Sequence, residues 1–201
     1  YGPSGVGKTT VATIVAKMSN KKLFKLNGTQ SSVGDIKDII SQIDTIGAEN
    51  GILLYLDEIQ YLNKKQQQSL LEVIEDGSVT LIASTTENPY FSVFNAILSR
   101  STIFEFKPLT PEDIARGINR VIEKYNWENH SEVSLDRQAE DIISHSCSGD
   151  MRKALNALEL LISAANYGDI PVITGDMAKQ VAQRSSNRFD NGGDVHYNLL
   201  S

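Results

Sequence analysis

Residues 2 to 9 of the sequence read GPSGVGKT, and this stretch decides the fold. It fits the pattern GxxxxGK(S/T), in which the backbone N–H groups of a glycine-rich loop surround the phosphates of a nucleotide. Apolar residues recur at helical spacing directly after the loop, so the sequence predicts a helix whose positive end faces the phosphates. We expect Lys8 to contact the β- and γ-phosphates of ATP, and the Thr9 hydroxyl to bind Mg²⁺. The predicted nucleotide-binding residues are Gly2, Pro3, Ser4, Gly5, Val6, Gly7, Lys8, Thr9 and Thr10.

A buried strand is predicted further along the chain, where Ile52 to Leu56 form an unbroken apolar run that ends in Asp57 and Glu58. Open α/β sheets bind ligands at the carboxyl ends of their strands. Two adjacent carboxylates at such an edge repel each other and lose solvation unless a cation or a reacting water uses them. We therefore predict that Asp57 binds Mg²⁺ and that Glu58 polarises the water that attacks ATP. The alternative is that Asp57 caps the next segment while Glu58 faces solvent.

Strand and helix patterns alternate around these two motifs. Further strands are predicted at Leu23–Leu26, Val79–Ser84 and Thr102–Phe106, with helical patterns between them and a loop through Asn88. This alternation predicts an α/β fold of three layers, in which helices cover both faces of a parallel sheet.

The pattern changes after Pro108, from where the sequence is predicted to be all-helical. Thr110 is a favourable N-cap and Pro111 a favourable first helical residue. The apolar stripe of this first helix is Ile114, Ile118, Val121, Ile122 and Tyr125, and further helices are predicted at about 136–145, at 150–166 and from 174. We predict a nucleotide-binding core at 1–107, a helical lid at 108–183, and a linker with the start of a C-terminal region at 184–201. We also expect a strand upstream of Tyr1 and further chain after Ser201.

The composition is that of an ordinary globular protein, with 201 residues of which 40% are hydrophobic and 22% charged. No segment reaches the roughly 18 apolar residues that a membrane span requires, so no membrane association is predicted. The single cysteine excludes an internal disulfide and indicates a cytoplasmic protein. The net charge of −6 gives no sign of a nucleic-acid-binding surface, and the three histidines lack metal-ligand spacing.

Several short segments resemble one family, the replication-associated recombination protein A family (RarA, also called MgsA). These segments are LDEI (56–59), NKKQQ (63–67), EDG (75–77), ASTTENP (83–89), LSR (98–100) and GDMRKALNALE (149–159). The family is a clamp-loader-like branch of the AAA+ ATPases, and its eukaryotic counterpart is the Werner-helicase-interacting ATPase. The resemblance covers essentially the whole chain, although Gln60 stands where relatives usually carry histidine and Tyr61 where arginine is common.

The resemblance implies an AAA+ core, a helical lid and a C-terminal oligomerisation domain. It also implies a DNA-stimulated ATPase that remodels DNA–protein complexes at stalled or damaged replication forks. Implied partners are single-stranded or forked DNA, single-strand-binding protein and further copies of the same chain.

The resemblance also assigns roles to three residues outside the two motifs. Thr86 matches sensor 1, which positions the attacking water, and Arg100 matches the arginine finger, which enters the ATP site of the next subunit. Arg152 matches sensor 2. Its own position supports this, because an N-cap at Asp150 places Arg152 in the first turn of a helix, where a cation is unfavourable unless an anion lies at that end. Taken alone, these residues would be a strand terminus, a solvated surface charge and a partner of Asp150, respectively.

Two other functions remain open at this stage. A P-loop kinase for a small molecule would use the same phosphate loop, but it would need a pocket for a phosphate acceptor. A module that binds ATP without hydrolysing it would also use the loop, but it would have no need for the Asp57–Glu58 pair.

Overall fold

The computed structural model describes residues 1–41, 51–168 and 171–183. Its contacts divide the chain into two units, Tyr1–Lys107 and Pro108–Ser201. The predicted linker and C-terminal region at 184–201 lie outside the described residues.

The first unit contains a parallel sheet of β1 (Lys22–Asn27), β2 (Ile52–Asp57) and β3 (Val79–Ala83), with β2 in the centre. The central strand is hydrogen-bonded along both edges, and its residues from Ile52 to Leu56 are all buried. A strand covered on both faces requires apolar side chains at every position rather than at alternate ones. The predicted parallel sheet is confirmed, and it brings Asp57 to its carboxyl edge.

Helices cover both faces of this sheet. They are α1 (Lys8–Ser19), α2 (Val33–Ile40), α3 (Lys64–Glu75), and the short α4 (Pro89–Ser92) and α5 (Asn95–Leu98). Leu54 of β2 packs in one cluster with Ile36 of α2 and Leu70 of α3. Tyr55 points to the opposite face, where α1 lies. The alternation of side chains along β2 therefore produces the predicted three layers.

One local prediction in this unit was wrong. The segment Thr102–Phe106 was predicted to be a strand, but it does not form one. In the described structure its backbone hydrogen bonds with another segment are made to Tyr1. Phe106 N donates to Tyr1 O (2.7 Å), and Tyr1 N donates to Phe104 O (2.6 Å). The predicted loop at Asn88 is confirmed, because residues 84–88 form neither helix nor strand. Asn88 ends this loop as the N-cap of α4, since its side chain accepts a hydrogen bond from Tyr90 N.

The second unit is mainly helical, as predicted. Its helices are α6 (Pro111–Asn129), α7 (Arg137–Ser146), α8 (Met151–Tyr167) and α9 (175–183). Thr110 forms a capping box with Asp113 at the start of α6. A pair of two-residue parallel strands, β4 (Ser134–Leu135) and β5 (Val172–Ile173), was not predicted.

The core of this unit contains Ile114, Ile118 and Ile122 from α6 together with Leu158 and Leu161 from α8. Val121 was assigned to the same stripe, but it lies at its edge and is 38% exposed. Within the described parts of both units, no helix is long and apolar enough to cross a membrane.

Candidate nucleotide-binding site

The glycine-rich loop leads directly into α1, with Gly7 at the N-cap in a left-handed conformation (φ 93°). Glycine adopts this conformation without the steric cost that a side chain would add. Because Gly7 has no side chain and the first turn of α1 contains no acidic residue, neither supplies an acceptor for the N–H groups at this end of the helix. The N–H groups of a helix's first turn and the positive end of its dipole together suit a phosphate.

Gly2 fixes the other end of the loop between two neighbouring segments. Its N–H donates to Thr85 O (3.1 Å), and a Cβ at this position would lie 2.2 Å from Phe106 O. Any side chain here would therefore collide with backbone. Lys8 closes over the loop, since its ammonium donates to Gly2 O (2.6 Å) and Pro3 O (2.7 Å). The loop residues from Gly2 to Thr9 thus form one folded unit that starts α1.

A cluster of hydroxyl groups joins this loop to the end of β2. Tyr55 Oη lies 3.0 Å from Thr9 Oγ1 and 2.9 Å from Ser84 Oγ, and it donates to Asp57 Oδ1 at 3.0 Å. Ser84 Oγ also donates to Asp57 Oδ1. The two residues that the sequence predicted as Mg²⁺ ligands, Thr9 and Asp57, are therefore held by the same tyrosine.

A hydroxyl and a carboxylate are suitable ligands for Mg²⁺, which binds oxygen and usually keeps several waters and substrate phosphates as further ligands. Among the described residues, there is no group of three or more His, Cys, Asp or Glu side chains that could hold a metal by itself. The residues present thus fit a metal shared with a nucleotide rather than one enclosed by protein.

Glu58 follows Asp57 in a left-handed backbone conformation (φ 54°). Its Oε2 accepts hydrogen bonds from Gln60 Nε2 and from Thr86 Oγ1 (3.3 Å). A left-handed conformation is uncommon for a residue with a side chain, and it persists where the surroundings impose it, often at functional sites. Thr85 is engaged elsewhere, since it is buried and accepts from Glu87 N at 3.0 Å. The structure thus brings Thr86, rather than Thr85, to Glu58.

Arg100 is held within its own region of the first unit. Its guanidinium pairs with Glu75 at the end of α3 (Nη2–Oε1 2.6 Å) and donates to Ala96 O (2.9 Å). In the part of the chain that the structure describes, the side-chain hydrogen bonds and the ion pair of Arg100 go to Ala96, Ser99 and Glu75. Its assignment as an arginine finger stays a prediction.

Arg152 lies in the first turn of α8 in the second unit. Asp150 is the N-cap, and its Oδ1 accepts from Arg152 N (2.8 Å) and Lys153 N (3.3 Å). The alternative of a local ion pair is not found, because the Arg152 guanidinium forms no salt bridge with Asp150 among the described residues. Its assignment as sensor 2 also stays a prediction.

Sequence reasoning missed Tyr55, Ser84 and Gln60 as members of the site. A signal for Tyr55 was present, because residues two apart on a strand share a face and Tyr55 precedes Asp57 by two. Burial raises the pKa of Tyr55, with a smaller opposing effect from its hydrogen bonds to Ser84 and Thr9. Tyr55 therefore stays a neutral phenol that can donate its proton to Asp57.

Two family models match the chain. The model described as the ATPase family associated with various cellular activities (AAA) matches residues 1–109. The model described as the AAA C-terminal domain matches residues 128–201.

Curated relatives match over the entire chain. Replication-associated recombination protein A of Bacillus subtilis is 38% identical, and the match spans 100% of this chain and 48% of that protein. The protein of the same name in Escherichia coli K12 is 34% identical over 100% of this chain and 46% of its own length. ATPase WRNIP1 of Dictyostelium discoideum is 36% identical over 100% of this chain and 25% of that protein. The resemblance inferred from the sequence is confirmed, and the chain spans about half the length of these bacterial relatives.

Solved structures share the fold at lower identity. The Thermotoga maritima RuvB Holliday junction branch migration motor has a TM-score of 0.75 and 23% identity over 90% of this chain and 59% of that chain. NtrX from Brucella abortus, in complex with ADP, has a TM-score of 0.67 and 20% identity over 88% of this chain and 47% of that chain. The predicted fold class is confirmed by these likenesses.

Proposed function

Because the chain belongs to the AAA family of ATPases, we propose that it binds ATP-Mg²⁺ at the loop of residues 2–9 and hydrolyses ATP with Glu58. The observation that carries this proposal is the single hydrogen-bonded cluster that connects Thr9 of the phosphate loop to Asp57 at the end of β2. A phosphate loop, two metal-ligand candidates and an adjacent carboxylate are thereby assembled at one edge of the sheet. Ligands bind at this edge in open α/β folds.

The proposed work of the loop is to hold the triphosphate. The N–H groups at the start of α1 contact the phosphates, and Lys8 exchanges its bonds to Gly2 O and Pro3 O for the β- and γ-phosphates. Thr9 and Asp57 would hold Mg²⁺, and the metal would supply positive charge beside the phosphate oxygens. These interactions position the substrate without covalent chemistry by the protein.

The proposed work of Glu58 is to orient and polarise the attacking water. Gln60 and Thr86 both donate to Oε2 of Glu58, which fixes the carboxylate. The other oxygen, Oε1, is then available to accept a hydrogen bond from the water. Thr86 thus acts on the reaction through Glu58 as well as by its own hydroxyl.

Two arginines complete the proposed mechanism. Arg100 leaves its half-exposed pair with Glu75 to enter the ATP site of a neighbouring copy, so the active form is a homo-oligomer. Arg152 contacts the γ-phosphate and so reports the state of the nucleotide to the helical unit. We also propose that the protein remodels DNA–protein complexes at replication forks in the cytoplasm, with single-strand-binding protein as a partner. The similarity of this chain to a replication-associated recombination protein supports the link to replication and recombination.

Substitution Glu58→Gln tests the catalytic proposal. It keeps the shape of the side chain but removes its negative charge, so ATP binding should persist while phosphate release falls about 10²- to 10⁴-fold. Binding is followed with a fluorescent ATP analogue and turnover by released phosphate, without any acceptor substrate.

The matched control is Glu72→Gln, on the exposed face of α3, which should behave as the wild type. If Glu58→Gln leaves the rate of phosphate release unchanged, Glu58 is not catalytic, and a module that binds ATP without hydrolysing it would be favoured. If the wild-type protein consumes ATP only when a small-molecule phosphate acceptor is supplied, it is instead a kinase.

A second experiment tests the role at the fork. The full-length protein should hydrolyse ATP faster with forked or gapped DNA than with blunt duplex DNA of the same length, because the proposed substrate contains single-stranded regions. Equal rates with all three, at a salt concentration that permits binding, would contradict this part of the proposal while leaving the ATPase assignment intact.

A further inference from the structure

Tyr55 is a buried aromatic residue in an otherwise aliphatic strand, and only 2% of its surface is exposed. Its ring belongs to the packed interior, where phenylalanine would serve equally well. Its hydroxyl lies among three polar side chains, those of Thr9, Ser84 and Asp57. A buried hydroxyl requires hydrogen-bond partners, and each of these partners belongs to a different segment of the first unit.

The protons of this cluster can be assigned by counting. Each hydroxyl has one proton, and Asp57 Oδ1 accepts from both Tyr55 (3.0 Å) and Ser84. In this arrangement the 2.9 Å contact between Tyr55 Oη and Ser84 Oγ carries no proton. With the Tyr55 proton directed to Asp57, Thr9 is the donor in its 3.0 Å contact with Tyr55 Oη. The chain of donation therefore runs from Thr9 to Tyr55 to Asp57.

This arrangement leaves both metal-ligand candidates in the state that a cation requires. A hydroxyl that binds a metal offers a lone pair, so its proton must be directed elsewhere, and Tyr55 accepts that proton. Asp57 contributes only Oδ1 to the cluster among the described residues, so Oδ2 remains for the metal. Two hydrogen bonds to Oδ1 also fix the plane of the carboxylate.

We propose that Tyr55 is a positioning residue that couples the two Mg²⁺ ligands, Thr9 and Asp57, by accepting from one and donating to the other. The inference rests on the proposed function, since it concerns the same site. The hydroxyl of Tyr55 then sets the affinity for the metal and leaves nucleotide binding without metal unchanged. Ser84 supports the same carboxylate, and the hydrogen-bond contacts of its hydroxyl in the described structure are with Tyr55 and Asp57.

Substitution Tyr55→Phe removes this hydroxyl and keeps the ring in the core. Outer partners of metal ligands typically contribute 10- to 100-fold to metal affinity, so the Mg²⁺ concentration for half-maximal ATP turnover should rise by about that factor. The binding of Mn²⁺ to the complex of the full-length protein with ADP, followed by electron paramagnetic resonance, should weaken in parallel. Binding of ADP in the presence of EDTA should not change.

The matched control is Tyr61→Phe, which removes the same atom from a side chain that is 60% exposed. It should leave all three measurements at their wild-type values. Ser84→Ala provides a second variant of the cluster, and we expect it to shift the metal midpoint less than Tyr55→Phe, because the link between Thr9 and Asp57 survives.

A wild-type metal midpoint in Tyr55→Phe would overturn the inference, and so would a larger shift in Ser84→Ala than in Tyr55→Phe. An equal loss of ADP binding with and without EDTA would also overturn it, because the hydroxyl would then support the loop as a whole. Failure of the wild-type protein to bind any nucleotide is a different result, which would remove the proposed function itself.

Discussion

Glu58 shows how one side chain is prepared for chemistry by its immediate neighbours. Its left-handed backbone conformation costs about 1–2 kcal/mol in a residue with a side chain, so the surrounding contacts must supply at least that much. Gly28 permits this backbone path, because a Cβ at residue 28 would lie 2.2 Å from Glu58 O. Gln60 and Thr86 then hold Oε2 of the carboxylate. The conformation and the two donors together determine where the carboxylate lies.

Gln60 should therefore contribute to turnover through Glu58. Removing a hydrogen bond to a charged group costs about 1.5–3 kcal/mol, so Gln60→Ala should lower kcat by roughly tenfold or more, with little change in KM. Gln68→Ala, an exposed glutamine on α3, is the control and should leave kcat unchanged. A purely structural role for Gln60 would instead lower thermal stability without a specific loss of kcat.

The variant Gln60→His adds a readout that depends on pH. An amide does not titrate, whereas an imidazole has an ordinary pKa near 6.5. Below that pH the cationic ring would pair with Glu58 and make the carboxylate a weaker acceptor for water, so turnover should rise as pH increases through this range. The wild type should show no such step between about pH 5.5 and 7.5, where its glutamine is unchanged. The same profile in both proteins would contradict direct contact with Glu58.

At the scale of whole elements, the sequence predicts what depends on local pattern and misses what depends on a distant partner. The apolar run from Ile52 to Leu56 identified β2, because a strand that is buried on both faces is apolar at every position. The segment Thr102–Phe106 has equally good strand residues, but a strand also requires a neighbouring ladder, and in the described structure its bonds go to Tyr1.

The same difference between local pattern and distant partner explains which residues of the site could be predicted. Lys8, Thr9, Asp57 and Glu58 could be predicted because the residues of each motif are adjacent in sequence. Ser84 could not, because its place beside Asp57 follows from the register of β3 on β2, where Ser84 N donates to Leu56 O (2.9 Å). The buried face of helix α1 could not be predicted from its apolar pattern either. Its buried residues are Ala12 and Ala16, whereas larger apolar side chains such as Ile14 (50% exposed) face outward.

At the scale of the whole molecule, Arg100 determines whether this chain can work alone. Its pair with Glu75 is about half exposed, and exposed ion pairs contribute only about 0–1 kcal/mol, so little energy opposes its transfer to another acceptor. An arginine supplied to the transferred phosphate is worth about 10³- to 10⁵-fold in rate in other P-loop enzymes. Arg100→Ala should therefore reduce turnover by about 10³-fold while nucleotide binding persists. Arg116→Ala, at an exposed arginine that pairs with Asp113, is the control.

Mixing two inactive variants tests whether Arg100 acts on a neighbouring copy. Subunits with Arg100→Ala retain Glu58, and subunits with Glu58→Gln retain Arg100, so a mixed assembly contains sites with an intact carboxylate beside an intact arginine. Turnover of the mixed full-length proteins should exceed the sum of the two measured separately, and it should rise with total protein concentration as subunits associate. A mixture that shows only the sum, at concentrations where sedimentation shows the subunits to be associated, would place Arg100 outside the neighbouring site. The protein would then complete its catalytic site within a single chain.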